Sequence, residues 1–111
     1  MNDFLDNIDS DNNLKTIKSA IRDLMPGAVI ILFGSRARGR NHPMSDYDLL
    51  IIVDHLIDVN NRLQFQSKIR KELATKNILS DVIIQSQSDL EIKKNLPGHI
   101  VRTAFLEGVR L

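Results

Sequence analysis

Apolar residues along this 111-residue chain fall into two patterns: helical stripes with charges between them, and short unbroken runs. Leu14, Ile17, Ile21 and Leu24 share one face of a helix predicted over Asn13–Met25, with Asp11 or Asn12 as its cap and Pro26-Gly27 as its stop. Residues 28–33 read as a strand, and their Val-Ile-Ile-Leu-Phe suits burial on both faces. A second strand opens with Asp46-Tyr47-Asp48 and continues through Leu-Leu-Ile-Ile to Val53. After an exit over 54–58, a helix is expected over Val59–Lys76, with Val59, Phe65, Ile69 and Leu73 turned inward. Asp81-Val82-Ile83-Ile84 is a third strand-like run. Ser88-Asp89-Leu90-Glu91 has the spacing of a capping box and predicts a short helix ending near Pro97-Gly98. The last helix, over 98–107, should bury Ile100, Val101, Ala104 and Phe105, with Gly108 as its cap and 109–111 as a short edge strand. Residues 1–12, rich in Asp and Asn, are expected to dock loosely, with one helical turn at most around Phe4, Leu5 and Ile8.

Connection lengths constrain how these elements assemble. A loop joins the first strand to the second, so those two are most simply antiparallel. A whole helix separates the second strand from the third, which suits a right-handed parallel crossover. The expectation is a single α/β (α+β) domain over 13–111: a small mixed β-sheet with helices packed on it.

The chemistry gathers between the first two strands. Gly34-Ser35 closes the first, where glycine permits a turn whose following N–H groups converge on an anion. A short helix over 35–39 would add donors from its N-terminus. Asp46 and Asp48, two apart at the start of a strand, direct both carboxylates to one side. Such a pair repels, and one member tends to take up a proton unless a divalent cation relieves the conflict. Oxygen ligands of this kind suit Mg²⁺, which is usually held by one or two carboxylates plus substrate phosphates. Parallel strands start at the same edge of a sheet, so the crossover brings Asp81 to the edge that carries Asp46 and Asp48. Each feature alone has a plainer reading. Asp-x-Asp is common turn chemistry, Asp81 can simply initiate a strand, and Arg36, Arg38 and Arg40 can be solvated loop cations. Gly-Ser, ten intervening residues and Asp-x-Asp together are far more specific. Three carboxylates facing an anion-cradling loop suit two-metal phosphoryl or nucleotidyl transfer.

These residues resemble the signature of the DNA polymerase beta-like nucleotidyltransferase superfamily. The fuller string Gly-Ser-Arg-Ala-Arg-Gly, then Ser-Asp-Tyr-Asp-Leu, is similar to its small prokaryotic branch, the minimal nucleotidyltransferases (MNT), which often pair with HEPN-domain proteins as antitoxins. The likeness runs from about residue 12 to the C-terminus and is sharp at 33–53 and near Asp81. It implies the nucleotidyltransferase fold, ATP as substrate and two Mg²⁺ ions. By resemblance, Asp46 and Asp48 hold both metals, and Asp81 binds the metal at the acceptor and helps to take its hydroxyl proton. Gly34 and Ser35, with the N–H groups at 34–36, grip the β- and γ-phosphates, and Arg36 and Arg38 offset triphosphate charge. Which arginine points inward is left open. The implied reaction moves AMP from ATP to a hydroxyl, with release of pyrophosphate. The implied acceptor is a tyrosine of a partner HEPN toxin, an RNase neutralised in this way. Two alternatives remain: transfer to a small molecule of the aminoglycoside type, whose relatives carry an extra helical domain, and a non-catalytic antitoxin that inhibits by binding.

Composition narrows the rest. With 42% hydrophobic and 26% charged residues, the chain can build one core and is not a disordered segment. A net charge of +1 gives no global nucleic-acid footprint, and three Arg beside three Asp attract a phosphate backbone weakly. The absence of Cys excludes disulfides and zinc–thiolate sites. The acidic N-terminus lacks the features of a signal peptide, and no apolar run nears the roughly 20 residues that span a bilayer, so a soluble, cytoplasmic protein is expected. The aromatics sit mostly at core-like positions, and nothing here reads a nucleobase. Tyr47, between two aspartates, should face the opposite side and pack. His42 reads as loop, Met44 as packing under that loop, His55 and His99 as surface or capping residues, and Lys68–Lys71 as a solvated helix face.

Overall fold

The structure, a computed structural model, describes residues 12–39 and 45–111. The expected loose N-terminus up to Asp11, and Arg40, His42 and Met44, lie outside the described residues. The elements run α1 (Asn12–Leu24), β1 (Val29–Phe33), α2 (Gly34–Ala37), β2 (Tyr47–Val53), α3 (Val59–Ala74), β3 (Ser80–Ser86), α4 (Gln87–Lys93), α5 (Ile100–Glu107) and β4 (Val109–Arg110).

The strands form one sheet in the order β3-β2-β1-β4. β1 is antiparallel to β2 and to β4, while β2 and β3 run parallel. The expected hairpin-like pairing and helical crossover are both present. β2 is an interior strand, and its unbroken apolar run follows from burial on both faces: Leu49, Leu50 and Ile51 are fully buried. One face carries Leu49, Ile51 and Val53 into the main core under α1 and α3, against Ile17, Ile21, Ile69 and Leu73. The other carries Leu50 and Ile52 into a smaller core with Ile31, Phe33, Leu90, Val101 and Ala104, under α4 and α5.

Several boundaries differ from the sequence reading. α1 begins and ends one residue earlier, with Asn12 inside the helix rather than capping it. β3 extends to Ser86 because its polar Gln85 is buried and satisfied: Lys93 Nζ donates to its Oε1 at 2.7 Å, and its Nε2 donates to the Ile84 carbonyl. That extension moves the cap of the next helix from Ser88 to Ser86, whose Oγ accepts the Asp89 N–H at 3.1 Å, and α4 ends at Lys93 rather than near Pro97. Hydrophobic periodicity cannot foresee a polar residue carried through a strand. Val59 is exposed, since the first turn of α3 stands clear of the core and burial starts only at Phe65 and Ile69. On α5 only Val101 and Ala104 are buried; Ile100 and Phe105 face outward from this narrow contact stripe. His99 caps α5 by accepting the Val101 N–H on Nδ1. Gly108 ends α5 with ordinary backbone angles, and a Cβ there would collide with Ile31 and the Ala104 carbonyl. Its role is to let β4 approach β1.

Candidate active site

The end of β1, α2 and the starts of β2 and β3 meet at one edge of the sheet. β1 finishes at Phe33, and Gly34, at φ +74°, turns the chain into the single turn of α2. The first N–H groups of a helix have no acceptor within it, so the turn presents donors. Phe33 is the register partner of Asp48. A Cβ at position 34 would run into the Asp48 carboxylate. Glycine is therefore required there for backbone conformation and for contact, and the carboxylate lies directly against the turn.

Asp48 and Asp81 are register partners on the parallel strands β2 and β3, so their side chains leave the same face of the sheet. Asp46 directly precedes β2. Asp46 and Asp81 are exposed and Asp48 half-buried. The Asp48 carboxyl is held above the usual carboxylate range, first by loss of water and then by the negative charges of Asp81 and Asp46. The positive charge of Arg38 acts against that rise. The structure thus brings together the residues expected from distant segments: Gly34 against Asp48, Asp81 beside it, and Asp46 and Arg38 near enough to act on it electrically. Among the described residues, no set of three His, Cys, Asp or Glu side chains is gathered tightly enough to hold a metal ion unaided. Asp46, Asp48 and Asp81 line this edge as a row short of such a set.

The two arginines of α2 and its exit behave differently. Arg38 is exposed and registers at Asp48. Arg36 donates from Nε to the Ser45 carbonyl at 2.9 Å, and its guanidinium lies 4.0 Å from the centre of the Tyr47 ring. Tyr47 is 3% exposed, packs in the main core, and accepts a hydrogen bond on its hydroxyl from Asn13 Nδ2 at 3.3 Å. Tyr47 packs as its position between two aspartates predicts, whereas its contact with Arg36 is outside the sequence expectations. An arginine and a tyrosine on opposite sides of a loop carry no periodic signal. A groove of about 460 Å³ between α1 and α3, flanked by Lys15, Lys68 and Glu72, shares no residue with this edge.

The family model for the nucleotidyltransferase domain matches residues 14–109, nearly the whole chain. The chain belongs to the nucleotidyltransferase domain family. Among curated proteins, none matches significantly. Several solved structures share the fold of this nucleotidyltransferase domain. A crystal structure of a toxin–antitoxin with AMP-PNP is 24% identical, with 89% of this chain and 71% of that one covered and a TM-score of 0.55. A mutant of the toxin–antitoxin MntA-HpeT is 22% identical, with coverages of 91% and 72% and a TM-score of 0.59. The tri-AMPylated HEPN toxin of Shewanella oneidensis in complex with its MNT antitoxin gives 20% identity, coverages of 88% and 67%, and a TM-score of 0.53.

Proposed function

We propose that this chain is an MNT-type antitoxin that transfers AMP from ATP to a hydroxyl, a tyrosine of a HEPN-domain toxin. The observation that carries this reading is the row of carboxylates against the Gly34 turn: Asp48 touches the turn, Asp81 is its register neighbour, and both Asp81 and Asp46 hold its carboxyl up. A carboxyl held protonated more readily by burial and two acidic neighbours, as Asp48 is, fits a cation site, and in our reading Asp46, Asp48 and Asp81 hold Mg²⁺. When bound, the cation offsets carboxylate repulsion and the charge that develops on the attacking and leaving oxygens. The N–H groups of Ser35 and its neighbours, with the Ser35 hydroxyl, bind the β- and γ-phosphates, and Arg38 adds positive charge between them and Asp48.

In the transfer, the acceptor oxygen bonds to the α-phosphorus as the bond to the β-phosphate bridging oxygen breaks. AMP becomes esterified to the acceptor and pyrophosphate leaves. Asp81, exposed at the outer end of the row, receives the acceptor's proton. The relatives that carry AMP-PNP or an AMPylated HEPN toxin support ATP and a protein acceptor. The acceptor is brought by the partner, and the reaction belongs to the cytoplasm, where ATP and Mg²⁺ are at hand.

The test mixes the purified chain with ATP, Mg²⁺ and the HEPN-type protein encoded beside it, and reads intact masses. The toxin should gain about 329 Da per AMP, the mass required by AMP transfer with pyrophosphate loss. Asp46→Ala/Asp48→Ala should abolish the gain. Neutralisation of the toxin with no mass change, equally by wild type and the double variant, would mean inhibition by binding alone.

A further inference from the structure

Ser45 and Tyr47 flank Asp46 in the chain, and both are tied down. Arg36 Nε reaches the Ser45 carbonyl at 2.9 Å, and the same guanidinium stacks on the Tyr47 ring at 4.0 Å. Tyr47 is further held by its N–H on the Leu79 carbonyl at 3.0 Å and by Asn13 on its hydroxyl. Arg36 itself belongs to α2, the same short turn that begins at Gly34. The contacts of Arg36 therefore tie α2 to the segment Ser45–Tyr47. They connect the two halves of the site: the turn that presents N–H groups and the segment that presents Asp46 and Asp48. A planar guanidinium suits this task, since it can donate in its plane while its face covers a ring. Arg38, by contrast, is exposed and is the arginine whose charge reaches Asp48.

We propose that Arg36 is a positioning residue: stacked on Tyr47 and bonded to the Ser45 carbonyl, it sets the spacing between the Gly34-Ser35 turn and the carboxylates of Asp46 and Asp48, and it does so without touching the nucleotide. The inference rests on the reading of this edge as a nucleotidyl-transfer site. Its consequence is geometric. A loss of register between phosphate grip and cation ligands of the order of 1 Å lowers turnover about 100-fold while leaving most ground-state contacts in place.

The test uses the full chain with Arg36→Met, Tyr47→Leu, the double variant, and the conservative Arg36→Lys and Tyr47→Phe. Two quantities are read: Mn²⁺ binding in the presence of ATP without any partner, by calorimetry, and kcat and KM for ATP with the toxin. Arg36→Met and Tyr47→Leu should each weaken Mn²⁺ binding and lower kcat by roughly 10- to 100-fold, with KM for ATP changed much less. The double variant should be no worse than the worse single one, because both remove the same strut. Tyr47→Phe, which keeps the ring, should recover most of what Tyr47→Leu loses, and Arg36→Lys should fall between wild type and Arg36→Met. In the wild-type chain, the side-chain protons of Arg36 should be shifted upfield in NMR spectra by the Tyr47 ring, a reading that needs no variant to fold. A rise in KM for ATP confined to Arg36→Met, additive effects in the double variant, or an unshifted Arg36 would overturn the proposal. The upfield shift in wild type and the Mn²⁺ trends across the variants, with no modification of the toxin by wild type, would instead refute the AMP-transfer reading and leave the strut standing.

Discussion

At the scale of the residue, Asp48 is the position with the strongest physical conflict. Partial burial and two neighbouring carboxylates make its ionised form unfavourable, and the positive charge of Arg38 acts against them. A carboxyl whose proton affinity rises on folding is held more tightly in the folded chain than in the unfolded one. The stability this confers is complete below the unfolded group's pKa and is lost as the pH climbs through the higher folded value. At neutral pH the charged Asp48 therefore opposes folding. Asp48→Asn is expected to melt higher than wild type at about pH 7 without divalent ions, with the difference vanishing at about pH 3, where both side chains are neutral. Paired melting curves at the two pH values check this, and a variant that melts lower at neutral pH contradicts it. Gly34 belongs to the same conflict, since it is what allows the carboxylate to approach the turn.

At the scale of the element, the helices differ in how they are held. α1 buries Leu14, Ile17, Ala20 and Ile21, whereas α3 buries Ile69 and Leu73 and α5 buries Val101 and Ala104. Their ends depend on caps. Asp58 accepts the Asn61 N–H at 2.8 Å and starts α3, the crossover that sends β3 parallel to β2. Asp58→Ala should cost about 1 kcal/mol of stability, read as a lower urea midpoint with an unchanged slope. The effect should leave Asp48 and Asp81 in register, because the β2–β3 ladder runs the full length of both strands from Tyr47↔Ser80 to Val53↔Ser86. Interior elements were the legible ones. α1, β1, β2 and the central part of α3 carry long apolar periodicities, and their positions hold within a residue or two. Ends of elements were less so. Ser86 rather than Ser88 caps α4, because the decision rests on whether Gln85 can be buried, and that depends on Lys93, eight residues away.

At the scale of the whole molecule, a four-stranded sheet with two unequal cores places the reactive edge on its thinner side. Asp48 shares its face of β2 with Leu50 and Ile52, the smaller core, and stands beside Phe33, its register partner on β1. Leu50 is fully buried there. Leu50→Ala should therefore lose about 3 kcal/mol of stability by cavity formation, measurable by urea unfolding. The amino-acid sequence by itself determined the strand runs, the Gly-Ser and Asp-x-Asp spacing, and the topology that delivers Asp81 to the same edge. Those follow from local periodicity, short connections and strand direction. Only the tertiary structure decided that Gly34 must lack a side chain because Asp48 stands in that space, that Arg38 acts on Asp48 while Arg36 leans on Tyr47, and that Ile100 and Phe105 stay outside the core. Each of these depends on what meets across the fold, and a chain read one residue at a time carries no record of such meetings.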